Sequence, residues 1–383
     1  MKIAMVLENP LFYGGGEIHA YEISKNFVRK GHTVDFIQLY GNPKKRSLTR
    51  GELLSDSHWI QSPRSKVLNV IYTRALWVYS FLSIPAVTID LLRGKYDVVH
   101  LHNGGYASLL VSAVITKKVS GVKVFCTLHN NLAKHIDRRL IQRLAPNVDK
   151  FIAVSPAIQK NWLDEYHADA VFIPNGVDIG RFSPLLDASE LKKRLELEDK
   201  FVVLSIGRLS VQKGIKYLIQ ASVSLKKHIP NIAVLICGRG EEESALKRQV
   251  DQMGLCDIVK FIGYVPAQKL PSYYAICDVF VLPSLFETFA LTLLEALSVG
   301  KPVVCTRVGG AQEVAKQFED SRFAILVNPA NPEEIERGVL WYYSKADFAK
   351  IRNKKKMKAT LADFSWENIS ERINKIYASF THQ

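Results

Sequence analysis

The chain has 383 residues, 48% of them hydrophobic and 23% charged, which excludes both a largely disordered protein and a single small domain. Its formal net charge of +14 at pH 7 implies an anionic partner, and nucleic acid, a phospholipid surface and a phosphorylated substrate all satisfy that requirement. The five cysteines, Cys126, Cys237, Cys256, Cys277 and Cys305, lie far apart without a CxxC pair. That spacing excludes a disulfide framework and fits buried thiols in a reducing compartment.

Ile3 to Leu7 reads as a buried strand, with only Met1 and Lys2 before it and Glu8 after it. The run is too short for a signal-peptide core, so a cytoplasmic location is expected. Gly14-Gly15-Gly16 forms a glycine turn, Glu17 to Lys30 an amphipathic helix with Gly31 at its C-cap, and Thr33 to Gln38 the next strand. From Val67 to Leu92 an apolar and aromatic run is nearly long enough to cross a bilayer, but Arg74, Pro85 and Asp90 interrupt it. It reads as one or two helices packed on a sheet. The alternative is peripheral contact with an anionic membrane through Trp59, Trp77 and Phe81, beside the basic loop from Lys44 to Arg50.

Further strands are expected at Val98 to Leu101, Lys123 to Leu128, Phe151 to Val154 and Ala170 to Ile173. After the turn Pro174-Asn175-Gly176-Val177-Asp178 the pattern restarts, with a short helix or linker from Glu190 to Lys200 and a strand from Phe201 to Ile206. More strands follow at Ile232 to Ile236, Ile258 to Phe261, Val279 to Leu282, Pro302 to Cys305 and Ala324 to Val327, and Trp366 to Phe380 is a last helix. Strands alternating with helices mean parallel, doubly wound sheets, so the chain is expected to hold two α/β domains joined near Ile173. Ligands of such sheets bind beyond the carboxyl ends of the strands. Two of them facing each other would create a cleft.

The stretch from Pro283 to Leu297 follows a buried strand and turns into a helix after Glu287. A diphosphate on the amides of Thr288, Phe289, Ala290 and Leu291 would leave Glu287 near its sugar end and Glu295 to accept from ribose hydroxyls. The spacing alone equally suits a capped helix with an incidental carboxylate. Gly207-Arg208-Leu209-Ser210-Val211-Gln212-Lys213-Gly214 places two cations between glycines after another strand. Arg208 and Lys213 can grip phosphate, or simply face solvent. Tyr13-Gly14-Gly15-Gly16-Glu17 lets backbone approach a ligand but lacks the GxGxxG spacing of dinucleotide sites. His129 ends a strand, and His100 and His102 share one strand face. No carboxylate or cysteine cluster accompanies them, so no metal is expected. Without a reading motif or a dense basic helix, no nucleic-acid partner is expected either.

Taken in order along the chain, these segments resemble glycosyltransferase family 4, retaining enzymes of the GT-B architecture. The set comprises Gly14 to Glu17, Asp97 to His102, Thr127 to Asn130, Pro174 to Asp178, Gly207 to Leu209 with Lys213-Gly214, and Gly263-Tyr264-Val265. It closes with Glu287 to Glu295, Gly300 to Val304 and Gly309 to Glu313. The resemblance implies two Rossmann-like domains facing across a cleft. Residues 1–173 plus 365–383 would form the acceptor side and residues 174–364 the donor side, the last helix crossing back to the first domain. It assigns Arg208 and Lys213 to the donor diphosphate, Glu295 to the ribose and Glu287 to the donor sugar or the charge of the transition state. His129 is assigned to the transferred sugar, the amides after Glu287 together with Gly15 and Gly16 to sugar or phosphate, and the backbone from Gly263 through Tyr264 to Val265 to the base. Thr288 and Ala290 stand where the common pattern has glycine, which bears on the choice of donor sugar.

The implied reaction is metal-independent transfer from a nucleotide sugar, with retention, to a hydroxyl of a glycan or lipid-linked acceptor in polysaccharide or glycolipid synthesis. The nucleotide sugar is a co-substrate and no cofactor is required. The positive charge favours an anionic or membrane-embedded acceptor at the inner face of the cell membrane. The competing readings are a sugar-nucleotide epimerase and a non-catalytic nucleotide- or glycan-binding subunit.

Overall fold

The computed structural model describes residues 1–7, 14–38, 46–47, 84–102, 107–130, 138–345 and 354–381. Tyr13, Trp59, Trp77, Phe81, Arg74 and most of the basic loop at residues 44–50 lie outside these residues. No helix among the described residues is long and apolar enough to cross a membrane. The chain divides into two compact units, Met1–Asn175 with Trp366–Gln383, and Gly176–Ser365.

The first unit runs β1 (Lys2–Leu7), α1 (Gly15–Arg29), β2 (Thr33–Gln38), β3 (Arg46–Ser47), α2 (Ile84–Gly94) and β4 (Val98–His102). It continues with α3 (Ala107–Ser120), β5 (Lys123–Leu128), α4 (Arg138–Leu144), β6 (Lys150–Ala153), α5 (Pro156–Tyr166) and β7 (Ala170–Phe172). The strands lie in the order β3-β2-β1-β4-β5-β6-β7, all parallel except β3, which pairs antiparallel with β2. Chain direction across the sheet reverses between β1 and β4, the switch point of a doubly wound sheet. Helix α1 stops at Gly31, whose φ of +86° suits glycine. The chain then turns back so that the His32 amide donates to the Phe27 carbonyl at 3.0 Å.

Side chains alternate between the faces of a strand, and β4 uses this to separate two chemistries. Val99 and Leu101 enter an apolar core with Leu109, Leu110 and Ala113, while His100 and His102 point to the other face.

The second unit carries α6 (Ser189–Arg194), β8 (Phe201–Ile206), α7 (Ile215–His228), β9 (Ile232–Cys237), α8 (Glu243–Gln252), β10 (Val259–Gly263), α9 (Leu270–Ile276) and β11 (Val279–Leu282). Then come α10 (Leu291–Ser298), β12 (Val303–Thr306), α11 (Gly309–Glu319), β13 (Ala324–Val327), α12 (Pro332–Tyr343) and α13 (Lys354–Asp363). Its six strands lie in the order β10-β9-β8-β11-β12-β13, all parallel, with the switch point between β8 and β11. Both faces are dry. Val202, Leu204, Phe280 and Leu282 join one core, and Val203, Val279 and Val281 join the other, as expected of strands covered by helices on both sides.

The last helix, α14 (Trp366–Thr381), belongs to the first unit. Tyr377 packs its ring on Phe27 and Phe125, with centroids 5.5 and 4.8 Å away. Lys30–Glu371 and Arg29–Glu367 pairs tie α14 to α1 at the surface. Such exposed pairs contribute little, so the apolar contacts of Ile369, Ile373 and Tyr377, all fully buried, hold the helix. The structure buries Cys126, Cys237, Cys277 and Cys305 and leaves Cys256 exposed, none of them in a disulfide.

Candidate functional site

In the second unit the candidates collect at the carboxyl ends of the strands. The loop after β8 carries Arg208 and Lys213, with Val211 to Lys213 in a short 3-10 turn closed by Gly214 at φ +61°. The loop after β11 carries Ser284 and Glu287. The two loops flank the switch point and are bolted together. The Leu285 amide donates to the Gln212 carbonyl at 2.8 Å, and the Gln212 side-chain amide to the Phe286 carbonyl at 2.9 Å. A Cβ on Gly214 would fall 2.1 Å from the Pro283 carbonyl oxygen, so only glycine lets the loops approach this closely.

The Lys213 ammonium donates to Glu287 Oε1 at 2.6 Å, and the Ser284 hydroxyl donates to the same oxygen at 2.8 Å. Glu287 is buried, whereas Lys213 retains partial exposure and lines, with Arg208, Ser210, Val211, Gln212 and Glu241, an open cavity of about 270 Å³. An ammonium has three donors. With one committed to Glu287, the others can meet an anion in that cavity beside the Arg208 fork. Glu287 is fixed from behind as well. The Gly310 amide donates to its carbonyl at 3.1 Å, and a Cβ on Gly309 would lie 1.8 Å from the same carbonyl oxygen.

The helix after Glu287 begins later than the sequence suggests. Ala290 is its N-cap, without a side-chain hydrogen bond, so Thr288 and Phe289 belong to the preceding loop and α10 opens at Leu291. Glu295 sits one turn into α10 and accepts from the fully buried Tyr274 hydroxyl at 2.7 Å. Burial raises the Glu295 carboxyl above its usual range, while the Tyr274 hydrogen bond and the charge of Arg181 act the other way. Gly263 ends β10 at φ +77°, and after it Tyr264 is exposed and Val265 buried. Tyr274, Gln212 and Arg181 escaped sequence reasoning, because each acts through a partner distant in the chain. Ser284 escaped it too, although its partner Glu287 is three residues away.

In the first unit Gly15 and Gly16 open α1, and Gly14 is its N-cap. His129 follows β5 and is buried within a group of imidazoles. The rings of His19, His102 and His129 form a triangle with centroids 5.0 to 5.5 Å apart, and His100 lies 4.4 Å from His102. His102 Nδ1 and His129 Nε2 share a hydrogen bond at 3.2 Å, and His19 Nδ1 bonds Asn175 Oδ1 at 2.6 Å. His100 reaches the Thr127 hydroxyl at 2.7 Å and the Tyr377 hydroxyl. Burial drives His19 down to about 4 and His100 to about 3, and holds His102 and His129 well below their ordinary value. All four are therefore neutral at pH 7, and His129 is equipped to hydrogen-bond a hydroxyl, not to supply charge. Among the described residues no group of three or more His, Cys, Asp or Glu side chains is arranged to hold a metal ion.

Comparison with known proteins gives this arrangement its context. The family model described as Glycosyltransferase Family 4 matches residues 13–181, and the one described as Glycosyl transferases group 1 matches residues 187–361. The chain is 28% identical to an uncharacterized glycosyltransferase of Methanocaldococcus jannaschii, over 98% of each chain. It is 27% identical to a phosphatidylinositol N-acetylglucosaminyltransferase component of Arabidopsis thaliana, over 91% of this chain and 80% of that one. The crystal structure of Anabaena HepE in complex with UDP shares the two-domain α/β fold with a TM-score of 0.75 at 20% identity, covering 99% of this chain and 100% of that one. The two family models between them span nearly the whole chain, in the order in which its two units occur, and the chain belongs to glycosyltransferase family 4.

Proposed function

We propose that the chain is a retaining glycosyltransferase that moves a sugar from a UDP or GDP donor to a hydroxyl of a glycan or lipid-linked acceptor. The observation that carries this reading is the Lys213–Glu287 bridge at the β8–β11 switch point, beside Arg208 and an open cavity. Anions bind where positive groups and backbone amides converge at strand ends. Arg208 and Lys213 would hold the diphosphate, the amides near Thr288, Phe289, Ala290 and Leu291 would meet phosphate or sugar, and Glu295 would take the ribose. The backbone of Gly263, Tyr264 and Val265 would border the base. His129, Gly15 and Gly16 would meet the transferred sugar. HepE, which shares the fold, is described in complex with UDP.

In this reading the bond from the anomeric carbon to the phosphate oxygen breaks as the acceptor oxygen bonds to the same face of that carbon. The acceptor proton passes to the departing phosphate oxygen. Arg208 and Lys213 would stabilise the charge that develops on the leaving diphosphate, an electrostatic role that needs no metal. Glu287 would hold Lys213 in place and offset positive charge at the sugar. The net charge of +14 favours an anionic acceptor and peripheral contact with the inner face of a membrane. The Arabidopsis relative carries phosphatidylinositol in its name.

The test is calorimetric titration with UDP-, GDP- and ADP-sugars, chelator present, of wild type and Arg208→Ala. One donor should bind the wild type and lose about tenfold or more in the variant, as expected for charge-assisted phosphate contacts. Equal binding by both would remove Arg208 from the site. Absence of binding by any nucleotide sugar would move a non-catalytic role to the front.

A further inference from the structure

We propose that Tyr274 is a positioning residue, which holds Glu295 so that one carboxylate oxygen is kept for a nucleotide ribose. This rests on the donor site proposed above. Tyr274 sits on α9 and Glu295 on α10, 21 residues apart. The tyrosine ring is fully buried, 5.5 Å from Phe280 and 5.8 Å from Phe182 between centroids. Its hydroxyl therefore has one place to be, and there it donates to Glu295 Oε2. Oε1 has no hydrogen-bond partner among the described residues, which leaves it to accept from a ligand hydroxyl.

A glutamate alone on a helix would lose side-chain freedom each time it gripped a ligand. Bound to a rigid phenol, it has lost that freedom before the ligand arrives, and the affinity gained is that of preorganisation. Fully burying a tyrosine is ordinary only when its hydroxyl finds a partner, and here the partner is the candidate ribose carboxylate.

The hydrogen bond also sets the charge of Glu295. Two groups face this carboxyl from neighbouring elements: Tyr274 on α9, and Arg181 on the turn that follows Asp178. Cys277 and Cys237 lie behind Tyr274. Burial opposes ionisation of Glu295, while the phenol and the guanidinium support it. An ionised carboxylate only accepts, so ribose binding should weaken as pH falls through the Glu295 titration. Without the phenol the titration moves to higher pH, and binding fails sooner on acidification.

The experiment is calorimetric binding of UDP and of GDP, from pH 5 to pH 8, to wild type, Tyr274→Phe, Glu295→Ala and the double variant. The phenylalanine keeps the buried ring, and near-ultraviolet circular dichroism checks the packing. Tyr274→Phe is expected to weaken binding several-fold at pH 7, to shift the acid limb upward, and to add nothing in the Glu295→Ala background. Wild-type affinity and pH profile in Tyr274→Phe, with Glu295→Ala impaired, would overturn the positioning role and leave the donor site standing. An equal loss in the Glu295→Ala background would show that Tyr274 acts through packing, which also overturns it. If Glu295→Ala binds as tightly as wild type, or the wild type binds neither nucleotide, the donor-site reading fails and takes this inference with it.

Discussion

In the first unit four neutral imidazoles are buried between the sheet and helices α1 and α14, whereas the second carries the Lys213–Glu287 ion pair at its strand ends and, on α10, a carboxylate held by Tyr274. His102 and His129 bond each other, His100 bonds Thr127 and Tyr377, and His19 bonds Asn175, all without any charge. His19 Nε2 and His102 Nε2 are buried with no hydrogen-bond partner among the described residues. Lys213 and Glu287 satisfy each other by carrying opposite charges, with Ser284 as a third party. Burying a polar group without a partner is costly, and burying a charge without one costs far more. The difference is one of chemistry as much as stability. A neutral cluster can recognise hydroxyls, while only a charged one can neutralise a diphosphate.

Acid should break the comparison most sharply. The histidines have depressed folded values, about 4 for His19 and about 3 for His100. The unfolded chain therefore binds more protons below pH 6.5, and the stability they confer is fully present above that pH and lost as pH falls toward the folded values. Glu295, raised in the folded state, contributes in the opposite sense, and its contribution is lost as pH rises through its folded value. Between pH 7 and pH 5 each of the four histidines can cost up to about 2 kcal/mol. Amide hydrogen exchange corrected for intrinsic rates should show β4 and β5 losing several kcal/mol of protection while β8 and β11 lose much less. Parallel loss in both sheets would show that the imidazoles do not govern acid stability.

The ion pair offers the next largest effect. Lys213→Ala and Glu287→Ala should each lower turnover on the order of 10²–10³-fold, the scale of removing a preorganised charge-stabilising group. Because the pair acts as a unit, the double variant should be scarcely worse than either single one. Additive losses in steady-state kinetics would show that the two residues work independently.

Two glycines sharpen the contrast at smaller scale. Gly309 at φ +41° and Gly121 at φ +73° both adopt a left-handed backbone. A Cβ on Gly309 would strike the Glu287 carbonyl, whereas nothing lies within 4 Å of one on Gly121. Gly121→Ala should cost only the backbone strain, about 1–2 kcal/mol. Gly309→Ala should cost more in denaturant unfolding and also depress turnover, by displacing the loop of Glu287. Equal costs with unchanged turnover would remove the steric argument.

Much of the architecture was legible because it is written locally. Phe201–Ile206, Val279–Leu282 and Ala324–Val327 are apolar runs between polar loops, and the strands occupy those residues. Gly31 marks the end of α1 by the same kind of local rule. Less legible was the start of α10. The expected helix after Glu287 gives way to three more loop residues, held by the contacts of Gly309 and Gly310 behind them.

By itself, then, the sequence determined the strands, their parallel winding and the loops in which Arg208, Lys213, Glu287 and His129 lie, since burial period and turn chemistry depend on near neighbours. Only the tertiary structure decided which of these side chains meet. Lys213 finds Glu287 across 74 residues, His19 finds Asn175 across 156, and His100 finds Tyr377 across 277. Strand order, not spacing along the chain, brings those partners together, and a hydrogen bond depends on separations of a few tenths of an ångström that no local pattern encodes.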